Sequence, residues 1–73
     1  MEDERKRIGN RLRTIRRHLG ITIQTVADLA GYSYTTICVW ERGDRLPNLE
    51  ALMSLCRIYK VTPNDVLMEA IDG

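Results

Sequence analysis

A chain of 73 residues has room for one small domain with a marginal core, because so short a polypeptide buries little of its unfolded surface. Its 44% hydrophobic and 29% charged residues make a globular mixture, which excludes an extended disordered chain. The net charge of +1 excludes a strong overall attraction to polyanions.

Ile8, Leu12, Ile15 and Leu19 recur at steps of four, three and four, which puts them on one face of a first helix. At about 100° per residue, Asn10, Arg13 and Arg17 point away from that face, and Arg11 and Arg16 flank it. Gly20 supplies a left-handed residue to end the helix. Thr22 suits the N-cap of a second helix over Ile23 to Ala30, whose apolar residues are Val26, Ala27, Leu29 and Ala30. Gly31 stops it, Ser33 caps a third helix over Tyr34 to Arg42, and Gly43 closes that one. After the loop Asp44-Arg45-Leu46-Pro47, Asn48 caps a fourth helix with the stripe Leu49, Leu52, Leu55, Cys56 and Tyr59. Thr62 caps a fifth, with Pro63 at the first helical position, Asp65 near the capping-box position, and Val66, Leu67 and Ile71 facing inward. No run alternates apolar and polar residues, so no strand is expected. Each helix is too short to be stable alone. The expected fold is therefore an all-α, compact five-helix bundle: one domain over residues 1–73 with its core in 8–67.

The charge is uneven. Residues 1–20 carry seven basic and three acidic groups, against two and four in 21–50 and two and three in 51–73. An arginine-rich first helix either holds phosphates or forms a solvated face, and charge alone does not choose. Cys38 and Cys56 lack metal spacing, and the lone His18 does not complete a zinc site, so no metal or cofactor is expected and both thiols read as reduced, small hydrophobes. His18 is expected in solvent at the end of the first helix, where a positive charge suits the dipole. The single His has no evident nucleophile and acid partners, so an enzyme is not expected. No apolar run approaches the roughly 20 residues of a membrane span. The charged start, Met1 to Arg7, has no apolar segment after it, so the expected location is the cytoplasm.

In the third helix Ile37 and Trp40 share the core side, Trp40 as its anchor. The opposite side holds Thr35, Val39 and Arg42, with Cys38 beside them and Tyr34 at the rim. Ala27 and Gly31 are the small residues that a close crossing and tight turn between the second and third helices require. A short helix with slim outer residues, held on a rigid base, fits the major groove of DNA.

The whole pattern resembles the helix-turn-helix domain of phage repressors and Cro-like regulators, the XRE-like family. The resemblance spans Ile8 to Leu67. It is carried by Arg11-Leu12-Arg13-x-x-Arg16, Gly20-Ile21-Thr22, Val26-Ala27 with Gly31, Ser33-x-x-x-Ile37 and Trp40-Glu41-Arg42-Gly43, then by Pro47-x-Leu49-x-x-Leu52 and Tyr59-x-Val61-x-Pro63-x-Asp65-x-Leu67. It implies a lambda-repressor-like fold, double-stranded DNA as partner, and transcriptional regulation. It implies base-reading roles for Tyr34, Thr35 and Val39, and phosphate contacts for Arg16, Thr22, Gln24, Arg42 and Arg45. Arg16 and Glu41 match a pair that in relatives forms an ion pair beside a phosphate, with Glu41 in support; the alternative is an ordinary helix–helix salt bridge. Tyr32 either packs on the second helix or touches a phosphate.

Two departures stand out. The family often has Gln at the first residue of the second helix, where this chain has Ile23, with Gln24 one residue late. The base-reading positions hold no Gln, Asn, Arg or Lys, so specificity leans on thymine methyls and DNA shape. One small domain makes few base contacts, so a homodimer on a two-fold symmetric site is expected. Leu67, Met68 and Ile71, near the chain end with no further domain to cover them, are the expected dimer surface, or else part of the core. The second reading is a protein-interaction module, in which Tyr34, Cys38 and Val39 meet a partner such as a toxin or a transcription component. Near-neutral charge favours it; Arg16, Arg42 and Arg45 oppose it. The chain also fits the DNA-binding domain of a larger regulator.

Overall fold

The computed structural model describes residues 3–68. Among these residues the chain forms five α-helices and no strand: α1 (Glu4–His18), α2 (Ile23–Ala30), α3 (Tyr34–Arg42), α4 (Leu49–Tyr59) and α5 (Pro63–Leu67). The expected all-α bundle is what forms. Ile71 lies outside the described residues.

Side-chain caps set where each helix begins. Thr22, Ser33, Asn48 and Thr62 each accept a hydrogen bond from the backbone N–H three residues on. Asp65 returns the bond to the Thr62 N–H at 2.8 Å, completing the capping box. Asp3 accepts from the Arg5 N–H, so α1 starts at Glu4, a full turn before its first apolar residue. α2 and α3 stop at left-handed glycines: Gly31 has φ 77° and Gly43 φ 80°, a conformation that costs other residues about 1–2 kcal/mol.

Every helix gives the core a large, fully buried side chain: Leu12, Val26, Ile37, Leu55 and Val66. Trp40 and Ala27 join it, and the rings of Tyr32 and Trp40 meet edge-on at 5.0 Å. The Tyr32 ring thus packs on α3 and not on the second helix.

Four apolar residues leave the positions expected of them. Leu19 is 46% exposed because it falls past the last residue of α1, at its C-cap, although its direction on the wheel lies between the buried Ile8 and Leu12. Leu49 is 74% exposed: it lies about 90° from the centre of the buried α4 stripe, and Ala51 takes the core position instead. Leu67 is exposed because five-residue α5 turns only Val66 inward. Leu29 on α2 is exposed, with Val26 and Ala27 filling that helix's contact.

Gly9 is what lets α1 cross α3 so closely. A methyl group there would collide with the carbonyl oxygen of Trp40 and stand 2.8 Å from that of Glu41. Gly43 is pressed against the backbone of Lys6 in the same way, with 2.6 Å to its Cα from any added Cβ. The first and last turns of α1 and α3 therefore meet backbone to backbone, and α3 is fixed from behind.

Candidate nucleic-acid interface

α3 is also locked to α1 by charge. The Arg16 guanidinium donates from Nε to Glu41 Oε2 at 2.7 Å and from Nη2 to Oε1 at 3.0 Å, a two-pronged pair between buried side chains. Its Nη1 donates to the Ile21 carbonyl at 2.9 Å, tying in the turn before α2. Three of the five guanidinium N–H groups are thereby engaged. The bonds to Glu41 push the Arg16 pKa further up. Arg13 stands on the solvent side of the same carboxylate, Nε to Glu41 Oε1 3.7 Å, and is 39% exposed along its side chain.

With its back fixed, α3 presents its outer face to solvent. Tyr34 is half-exposed at its start and Thr35 is exposed. Val39 is half-buried: its inner side packs against the core, so it does not point fully away as the helical wheel implied. A groove of about 560 Å³ runs between this face and the following loop. Thr35, Thr36, Val39 and the edge of Trp40 form one wall; Asp44, Arg45, Leu46 and Asn48 form the other.

The rim of the groove is charged. Arg42 donates from Nε to Asp44 Oδ2 at 3.1 Å, both side chains more than half exposed. Backbone bonds from Gly43 N–H to Trp40 O and from Asp44 N–H to Val39 O, each 3.1 Å, hold this turn in place. The start of α1 lies alongside: Arg5 is paired with Asp3 at 3.2 Å, and Asp44 adds to the field that raises its pKa. Hydrogen bonds from Arg5 in turn hold the Asp3 carboxyl below the usual carboxylate range.

At the start of α2, Thr22 is occupied as N-cap and Gln24 donates to Asp28 at 2.9 Å, one helical turn on. Ile23 packs against the core, which is why the residue at that place is apolar and the amide comes one later. Neither α2 nor α3 has an acidic residue in its first turn, so both positive helix ends are unopposed there.

Of the residues singled out in the sequence, the structure gathers Thr35, Val39 and Arg45 around one groove and brings Arg42 to its rim through Asp44. Tyr34, Thr22 and Gln24 are exposed at helix starts outside it. Arg16 and Glu41 lie inside the molecule. Residues not anticipated at this face are Thr36, Asn48, Asp44 and, at its edge, Arg5 and Lys6. Thr36 was legible, since it shares a helical ridge with Val39 and Trp40; the approach of Arg5 and Lys6 depends on the Gly9 crossing and leaves no local signal.

Comparison with known proteins agrees with this geometry. The family described as Helix-turn-helix domain matches residues 7–68. The chain is 31% identical over 67 residues to the HTH-type transcriptional regulator DicA of Escherichia coli (strain K12), covering 92% of this chain and 50% of that protein. It spans about half the length of the curated relatives it matches. Among solved structures it superposes on the restriction-modification controller protein C.AhdI from Aeromonas hydrophila with TM-score 0.80 and 28% identity, over 84% of this chain and 92% of that one. It superposes on the P22 c2 repressor, solved in complex with synthetic operator 9T, with TM-score 0.79 and 31% identity over the same shares.

Proposed function

Because the chain belongs to the helix-turn-helix domain family, we propose that it binds double-stranded DNA through α3 and regulates transcription, as a homodimer on a two-fold symmetric site. The observation that carries this reading is the outer face of α3: a helix of slim side chains, fixed from behind by the Gly9 crossing and the Arg16–Glu41 pair, beside a groove flanked by Arg42 and Arg45. A B-DNA major groove about 12 Å wide admits such a helix. Thr35 and Val39 meet base edges there, with Tyr34 at the rim; Val39 and the Tyr34 ring pack on thymine methyls. Arg42, Arg45, Thr22 and Gln24 meet phosphates, helped by the uncovered amino end of α2. Arg13 takes the outer phosphate position beside the clamp, since Arg16 is largely committed inside. The chain acts as a binding module, not an enzyme, and in the cytoplasm; no helix among the described residues is long and apolar enough to cross a membrane.

Selection of bound sequences from a random duplex pool at moderate salt tests the reading. The expected site is rich in A·T pairs, and Val39→Gln shifts the preferred base at one position per half-site. Binding that persists with an unchanged selected sequence in Val39→Gln removes α3 as the reader. Failure to retain any duplex favours a protein partner at the same face.

A further inference from the structure

Resting on that DNA-binding reading, we infer that Asp44 is a specificity-setting residue, a built-in rival to phosphate that keeps the Arg42 charge paired until the duplex is in register. Arg42 and Arg45 bracket the groove, and Arg5 stands at its edge. A rim with three guanidinium groups would hold any duplex, because non-specific affinity comes from cations that displace counterions from phosphates. Asp44 sits among all three. It accepts from Arg42 Nε at 3.1 Å, its charge reaches Arg5, and it lines the groove next to Arg45. Asp3, a carboxylate at the start of α1, is paired with Arg5 at 3.2 Å.

The Arg42–Asp44 pair is well suited to being exchanged. Its side chains are 57% and 54% exposed, so water screens it and it contributes little to stability. A phosphate aligned with the guanidinium fork can displace the carboxylate, while a phosphate out of register meets an arginine already paired with an adjacent negative charge. Contacts by Thr35 and Val39 to the correct bases offset that displacement; a random sequence offers no such offset. Asp44 thus lowers affinity for non-cognate duplex more than for the site. It acts through Arg42, as a positioning residue, on a face whose base contacts are individually weak.

The test measures binding of the full chain to a random-sequence duplex and to the selected duplex across a salt series, for the wild type, Asp44→Asn, Arg42→Ala and the double variant. Asn keeps the turn, whose hydrogen bond comes from the residue 44 backbone, and an unchanged melting curve checks this. Asp44→Asn is expected to tighten binding to random duplex, to steepen its log–log salt slope by about 0.9, one phosphate contact, and to narrow the ratio between selected and random sequences. Adding Arg42→Ala returns the slope to the wild-type value. If Asp44→Asn leaves random-duplex affinity and slope unchanged while the wild type binds DNA, this inference alone is overturned. The same holds if the double variant keeps the steeper slope, since the carboxylate would then act without Arg42. A wild-type chain that binds no duplex overturns the DNA-binding reading and this inference with it.

Discussion

Two buried polar side chains, Arg16 and Glu41, are spaced too far apart in sequence for either to suggest burial, and their energetics follow from desolvation. Both ions leave water, which costs several kcal/mol each, and the two-pronged geometry with a further bond to Ile21 offsets this. Removing one partner strands the other. Arg16→Ala or Glu41→Ala is expected to cost about 3–5 kcal/mol, comparable to the whole margin of a small domain, whereas Arg16→Met combined with Glu41→Leu recovers most of the loss. Urea unfolding of the three variants checks this. Tyr59 lies 3% exposed near the same pair, and burial pushes its phenol up to about 12 from an ordinary 10. Above pH 10 the unfolded chain gives up this proton while the native chain keeps it, so stability falls as pH rises through this window. The contribution lost is about 2–3 kcal/mol, at about 1.4 kcal/mol per pH unit. Urea midpoints for Tyr59→Phe are expected to fall less steeply with pH over that range.

At the scale of elements, the crossing of α1 over the end of α3 decides where the outer face of α3 points. Alanine at an exposed mid-helix position stabilises relative to glycine by about 0.5–1 kcal/mol. At Gly9 the added methyl meets the carbonyl oxygens of Trp40 and Glu41, backbone atoms that cannot rotate aside. Gly9→Ala is therefore expected to destabilise by about 1–3 kcal/mol, the usual range for overpacking, with a lower thermal midpoint as the readout. An unchanged or raised midpoint would mean that α1 and α3 can separate without loss. Because α3 is displaced along with the contact, DNA affinity in the folded fraction should fall too.

At the scale of the whole molecule, a net charge of +1 keeps general attraction to DNA low, which is why we propose two copies on one site. Among the described residues, Leu67 is 39% and Met68 50% exposed at the end of α5, so neither joins the buried core, and we propose the dimer contact at this end. Two copies are expected on a two-fold site and one, more weakly, on an isolated half-site. Met68→Glu is expected to abolish this cooperativity while leaving the melting temperature and half-site binding unchanged. Sedimentation of the complexes and titration of both duplexes measure it. Cooperative binding that survives Met68→Glu moves the dimer contact elsewhere.

The sequence by itself determined the helices, because their signals are local: a capping side chain, a positive-φ glycine and a 3.6-residue apolar stripe each act within a turn or two. Thr22, Ser33, Asn48 and Thr62 cap where they were read, and Ile37 and Trp40 face the core. It also determined the family, since the same spacings carry the resemblance. What each stripe packs against was decided only by the tertiary structure. The extension of the buried face of α1 to Arg16 follows from the close approach at Gly9, a contact 31 or 32 residues distant in the chain. The same approach brings Arg5 and Lys6 to the turn at Gly43 and Asp44, and so builds the charged rim. A helical wheel assigns faces but not neighbours, and burial of a charge or exposure of a leucine depends on the neighbour.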